Sequence, residues 1–167
     1  MRTATVLSAL VAAGLTVGAA TAEAQTPRAS IQATATVLSA LSVAAGNNLL
    51  FGNVTPGVNK TIAITDGGAG TFTVTKAASS GVTLSFTLPT NLASGTDLLP
   101  IGSWSGAWNT SASTAGATAF TPSPAGTNTS VNAATVLTVF VGATVSPPLA
   151  QPAGNYAGTV TMSAVYF

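Results

Sequence analysis

Residues 81–89 read Gly-Val-Thr-Leu-Ser-Phe-Thr-Leu-Pro, so Val82, Leu84, Phe86 and Leu88 alternate with Thr83, Ser85 and Thr87. A period of two puts the four apolar side chains on one face of an extended chain and scatters them around a helix. The same period recurs at 70–76, where Phe72 and Val74 alternate with Thr, and at 134–145 (ATVLTVFVGATV). It also recurs at the start of the chain proper, in Ile31, Ala33, Ala35 and Val37. Pro56-Gly57, Asp66-Gly67-Gly68 and the run 147–154 (PPLAQPAG) punctuate these stretches as turns. The pattern predicts an all-β chain, an antiparallel immunoglobulin-like β-sandwich of about seven or eight strands. A closed barrel is the alternative architecture. Residues 91–134 are poor in apolar side chains and carry Pro122 and Pro124. They read as a loop-rich insertion with one short strand near 98–104.

The string ATVLSAL occurs twice, at 4–10 and at 35–41. The first copy follows Met1-Arg2 inside an apolar run with no further charge before Glu23. That layout is a secretory signal peptide, and the small-x-small site Ala22-Glu23-Ala24 places cleavage after Ala24. A retained membrane anchor is the alternative, disfavoured because the run is short and rich in Ala and Gly. The expected organisation is a signal peptide over 1–24 and one β-sandwich domain over 25–167, with no transmembrane segment in the mature chain. The second copy of ATVLSAL continues the alternation from Ile31, so 31–43 reads as the first strand or as a strand donated to another subunit. The product is expected in the periplasm, on the outer cell surface or outside the cell.

Ionisable chemistry is nearly absent. The whole chain holds 4 Lys and Arg, 3 Asp and Glu, no His and no Cys. Beyond residue 24 only Arg28, Lys60, Lys76, Asp66 and Asp97 remain. A nucleic-acid surface needs many cations against the phosphates, so that partner class is excluded. No Ser-His or Cys-His pair can be assembled, and the zinc ligands of choice are missing. Asp66 opens a turn and Asp97 lies in a Gly-Thr-Asp loop, which accounts for both carboxylates without catalysis. The expectation is a protein that is not an enzyme and takes no cofactor or metal. A surface of Thr, Ser, Asn and Gly has little charge repulsion to keep copies apart, which favours self-association.

The last stretch is the most specific. Tyr156, Gly158, Val160, Met162, Ala164 and Tyr166 share one phase, and Gly154 precedes them by two residues. A terminal Phe is shared with outer-membrane barrels, but Thr159, Thr161 and Ser163 occupy the phase of Phe167, which breaks the apolar band such a barrel needs. The other phase resembles the end of chaperone–usher pilin subunits: a penultimate aromatic, Tyr166, and a Gly about fourteen residues from the end, Gly154. The resemblance implies a strand beside which a periplasmic chaperone, and later a neighbouring subunit, adds its own. A wider resemblance rests on Leu50-Phe51-Gly52, Thr87-Leu88-Pro89, Val141-Gly142-Ala143-Thr144 and the block 151–158 (QPAGNYAG). With these the chain resembles the exported bacterial domain of unknown function forty-four-oh-two, itself similar to spore-coat-U-like and other pilin-type domains. That implies an exported sandwich and no established activity.

Two functions follow as expectations. The first is a structural, pilin-like or cell-surface subunit assembling by edge-strand pairing, with itself or through a periplasmic chaperone. The alternative is a surface adhesin or glycan-binding module, in which Trp104 and Trp108, four apart in SWSGAWN, stack on sugars from an exposed loop.

Overall fold

The computed structural model describes residues 29–167 apart from Leu38. The signal-peptide reading lies outside the described residues. The chain divides into two units, Met1–Ala35 and Thr36–Phe167. In the first unit the described residues, 29–35, are exposed and form no strand.

The second unit contains ten strands among its described residues: β1 (Ser42–Ala45), β2 (Lys60–Ile62), β3 (Gly70–Thr75), β4 (Val82–Thr87), β5 (Asn91–Ser94), β6 (Asp97–Asn109), β7 (Thr118–Phe120), β8 (Thr127–Asn128), β9 (Val136–Val145) and β10 (Thr161–Tyr166). All pairings are antiparallel. The larger sheet runs β1-β3-β9-β6-β5, with β2 added beside β9 and β7 beside β6. The smaller sheet runs β10-β4-β8. The chain is therefore an all-β sandwich of two separate sheets rather than a closed barrel. No helix among the described residues is long and apolar enough to cross a membrane.

The period-two stretches at 70–76, 81–89 and 134–145 form β3, β4 and β9. In β4, Val82 and Leu84 are wholly buried and Phe86 nearly so. They meet Val74 of β3 and Leu137, Val139 and Val141 of β9 in the main core, together with Trp108 and Met162. A second core, built on Leu99, Ile101, Ala143 and Val145, lies at the other end of the larger sheet.

The two cores follow from unequal strand lengths. β6 has 13 residues and β9 has 10, whereas β4 and β10 have 6 each. At about 3.4 Å per residue, β9 spans roughly 34 Å and β4 roughly 20 Å. The smaller sheet thus covers one half of the larger sheet's inner face. The other half is covered by irregular chain, and Leu49, Phe51, Val54 and Tyr156 pack on it.

β6 serves both cores by changing phase. Leu99 and Ile101 point inward in its first half, and Trp104, Gly106 and Trp108 in its second. Opposite β9, Gly102 pairs with Thr144 but Ser105 with Gly142, so three steps on β6 match two on β9. One residue is extra, which makes a β-bulge. Ser103 within it has φ of 47°, a left-handed conformation unusual for a residue with a Cβ.

Three expectations are corrected here. Residues 91–134 are not a loop-rich insertion with one short strand: they contain β5, β7, β8 and the longest strand of the protein, β6. The bulge hides β6, because an apolar phase that flips midway has no continuous period of two. The first strand of the domain is not the whole of 31–43. Ile31, Ala33, Ala35 and Val37 are exposed and outside any strand, and pairing begins only at Ser42. Finally, the terminal stretch is not one strand, as the site shows.

Candidate assembly site

β10 pairs with β4 along its full length, Thr161 opposite Thr87 through Tyr166 opposite Val82. On its other side no strand among the described residues pairs with it, so β10 is an edge. Met162 is buried, Ala164 and Tyr166 are half-buried, and Thr161, Ser163 and Val165 are exposed. The expected register therefore holds over 162–166.

The direction of the free backbone groups can be derived. The Phe167 N–H donates to the Gly81 carbonyl across the β4 side. In an antiparallel pair such bonds alternate along the strand. The odd residues of β10 therefore spend their backbone groups on β4, and Met162, Ala164 and Tyr166 aim theirs at the open edge. On the far side of β4, the Val82 carbonyl accepts from Thr129 and the Phe86 N–H donates to Ser123, which agrees with that parity.

The remaining predicted residues lie upstream, at 154–160, outside β10. Ala157 exchanges two backbone hydrogen bonds with Ala93 of β5, at 2.8 and 3.0 Å. The terminal segment thus touches the larger sheet at Ala157, crosses over, and joins the smaller sheet at Thr161. Gln151 Nε2 donates to the Tyr156 hydroxyl at 2.6 Å and to the Leu98 carbonyl at 3.3 Å, and the Tyr156 hydroxyl donates to the Pro152 carbonyl at 2.8 Å. These bonds fix the block 151–158 on the end of the larger sheet. Gly154 lies exposed near Ser94, and Gly158 lies against Leu92, where a side chain would not fit without displacing it.

The crossing leaves a cleft of about 910 Å³. Its floor includes Phe72, Ile101, Trp104 and Val141 of the larger sheet, and its rims carry Phe51 and Val160. Val160, the residue just before β10, lines the cleft together with the block 151–159.

Beyond Tyr166 the edge is anchored. The Tyr166 hydroxyl accepts from the Ala77 N–H at 2.7 Å and donates to the Ser39 carbonyl at 3.1 Å. The turn that carries Ala77 is held by Lys76, whose side chain is 1% exposed. Its ammonium donates to the carbonyls of Ser80 (2.9 Å), Asn132 (3.3 Å) and Ala77 (3.4 Å), with no carboxylate among its partners in the described residues. Burial pushes the Lys76 pKa below its ordinary 10.5.

The tryptophan pair is not on a loop. Both residues belong to β6; Trp108 is 7% exposed within the main core, and Trp104 is half-buried between the two cores. A spacing of four puts two residues on one face of a strand, and here that face is the inner one. The expected pair on an exposed loop is therefore corrected: Trp108 is packed into the main core, and Trp104 lines the cleft from a strand.

Among the described residues no group of three or more His, Cys, Asp or Glu side chains comes together to hold a metal. No family model matches the chain, and no curated protein does.

Proposed function

We propose that the protein is an exported, non-enzymatic structural subunit that assembles by pairing a strand of another copy along the open edge of β10. The observation that carries this reading is the edge itself. Met162, Ala164 and Tyr166 aim outward backbone groups that pair with no strand among the described residues, while their side chains face the core. A strand edge of this kind is a template for strand addition. Support also comes from Ile31, Ala33, Ala35 and Val37, an alternating apolar run that is exposed and free of any strand of its own. It is the strand this chain has to offer. The immunoglobulin-like family reading, export and a periplasmic chaperone belong to the same proposal and rest on the sequence resemblances.

The test is assembly of the mature chain 25–167 against a chain that begins at Ser39. Electron microscopy and size-exclusion chromatography, with and without a co-expressed pilus chaperone, should show fibres or higher oligomers only when 25–38 are present. Strictly monomeric full-length protein under every condition would sink the proposal.

A further inference from the structure

Native edge strands are ordinarily blunted by a Lys, a Pro, a bulge or a covering loop. β10 has none of the first three: residues 161–167 are Thr-Met-Ser-Ala-Val-Tyr-Phe, and its pairing with β4 runs without a shift. Beside Thr161 and Ser163, its outer face carries two apolar side chains, Val165 at 58% and Phe167 at 59% exposed. We infer that β10 also pairs with β10 of a second copy, antiparallel about a two-fold axis, closing the edge in a dimer. This inference rests on the reading of that edge as the assembly site and adds a resting state to it.

The register follows from the parity derived above. Hydrogen-bonded pairs across the new interface must join residues whose backbone groups point outward, so even residues meet even residues. The register that engages all three sets Ala164 opposite Ala164 and Met162 opposite Tyr166. Each β10 keeps its apolar face toward its own core, because even and odd residues stay on their faces across the seam. On the outer face Val165 lands opposite Ser163 of the partner and Phe167 opposite Thr161. Both exposed apolar side chains thereby gain a neighbour. The three-stranded sheets join into one of six strands.

Electrostatics do not oppose the pairing. β10 has no charged side chain. A second β10 also arrives already ordered by its own β4, whereas the 31–37 segment must be fixed from an unpaired state, at an entropic cost per residue. The dimer is isologous and closed, while addition of an N-terminal segment is heterologous and open-ended. Both use the same groups of Met162, Ala164 and Tyr166, so the two modes exclude each other and the dimer holds subunits back from fibre growth.

The chain contains no Cys, so engineered thiols report the register without background. Mature Ser163→Cys and Val165→Cys proteins, mixed and oxidised, should form the mixed disulfide at least ten times faster than either variant forms its own. In the proposed register 163 and 165 face each other as a non-hydrogen-bonded pair, at about 4.5 Å between Cα atoms, within disulfide range. Independently, Val165→Lys places an edge lysine at the seam and leaves the core untouched. It should weaken the dimer at least tenfold in analytical ultracentrifugation with an unchanged circular dichroism spectrum. Equal self- and cross-linking, or no linking in protein kept free of fibres, overturns the dimer and leaves the assembly reading standing. Rapid mixed linking in protein that never forms fibres upholds the dimer and removes the fibre reading.

Discussion

Deleting Ser103 should be tolerated, although a deletion inside a long central strand is ordinarily severe. The residue is exposed and its side chain contributes nothing to either core. What it contributes is one extra count in the strand. Leu99 and Ile101 face inward on odd numbers, Trp104 and Trp108 on even ones, and the bulge reconciles the two halves. Without Ser103, the residues Gly102, Trp104 and Ser105 follow one another opposite Thr144, Ala143 and Gly142. Both halves then keep their registers on β9, and all four inward side chains fall on one face of an unbroken strand. The deletion also removes a residue held at φ of 47°, relieving about 1–2 kcal/mol of left-handed strain, so the shortened protein should lie within about 2 kcal/mol of the parent. Were one half to turn over instead, Leu99 and Ile101, now 5% and 8% exposed, would move to the outer face. Fully burying such a side chain is worth about 1.5–3 kcal/mol, so losing two would cost roughly 3–6 kcal/mol. That is a large part of the roughly 5–15 kcal/mol that stabilises a typical domain. Ser103→Gly keeps the bulge and is the matched control. Glycine adopts the 47° φ freely, relieving about 1–2 kcal/mol of left-handed strain, and gives back about 0.4–1 kcal/mol through a freer unfolded chain. Urea unfolding followed by tryptophan fluorescence reads both variants, since Trp104 and Trp108 are the only two Trp residues. A deletion that costs more than about 3 kcal/mol, the loss expected from turning one half over, with an indole opened to quencher, would refute the argument that the bulge only reconciles the two phases.

Three further outcomes are expected. Gly142→Ala should destabilise by about 1–3 kcal/mol in the same urea assay, because its Cβ would overlap the Ile62 carbonyl, a backbone atom with no room to yield. Tyr166→Phe removes the acceptor of the Ala77 N–H and should cost about 1–3 kcal/mol, with the Ala77 amide exchanging faster while the β4 amides stay protected. The folded Lys76 pKa lies below the unfolded one, so between those two values the unfolded chain binds more protons. In that window, which ends at about 10.5, the Lys76 contribution makes stability rise with pH. Thermal unfolding from pH 8 to 10.5 should show a rise that Lys76→Met flattens; a steeper rise in the variant would contradict the sign.

The strands legible in the sequence are those whose apolar phase is unbroken and whose partner lies on both sides. Residues 70–76, 81–89 and 134–145 became β3, β4 and β9, the centre of the sandwich. β6 escaped because its first half is inward on odd residues and its second on even ones, and because Gly102, Ser103, Ser105 and Gly106 dilute the apolar signal at the join. Alternation also says which face would be buried without saying whether a partner exists. Residues 31–37 alternate as cleanly as β4, yet form no strand among the described residues. The same limit applies at the other end. The phase of Tyr156 to Tyr166 was readable, but Ala157 bonds one sheet and 161–166 the other, a switch that no spacing announces. Trp104 and Trp108 look like loop residues when β6 is missed and like core residues once it is seen.

That switch of sheets has a mechanical meaning. The C-terminal segment is stitched at Ala157 to β5 in the larger sheet and from Thr161 onward to β4 in the smaller one. It works as a tie between the two layers. A neighbouring strand lying along β10 and pulled lengthwise would load its hydrogen bonds in shear, so that several must break together rather than peel one after another. To draw β10 out of the sandwich, the same pull must also strip the Ala157 bonds to the opposite layer. The edge proposed to take a neighbouring strand is therefore the one whose root is fastened to both layers.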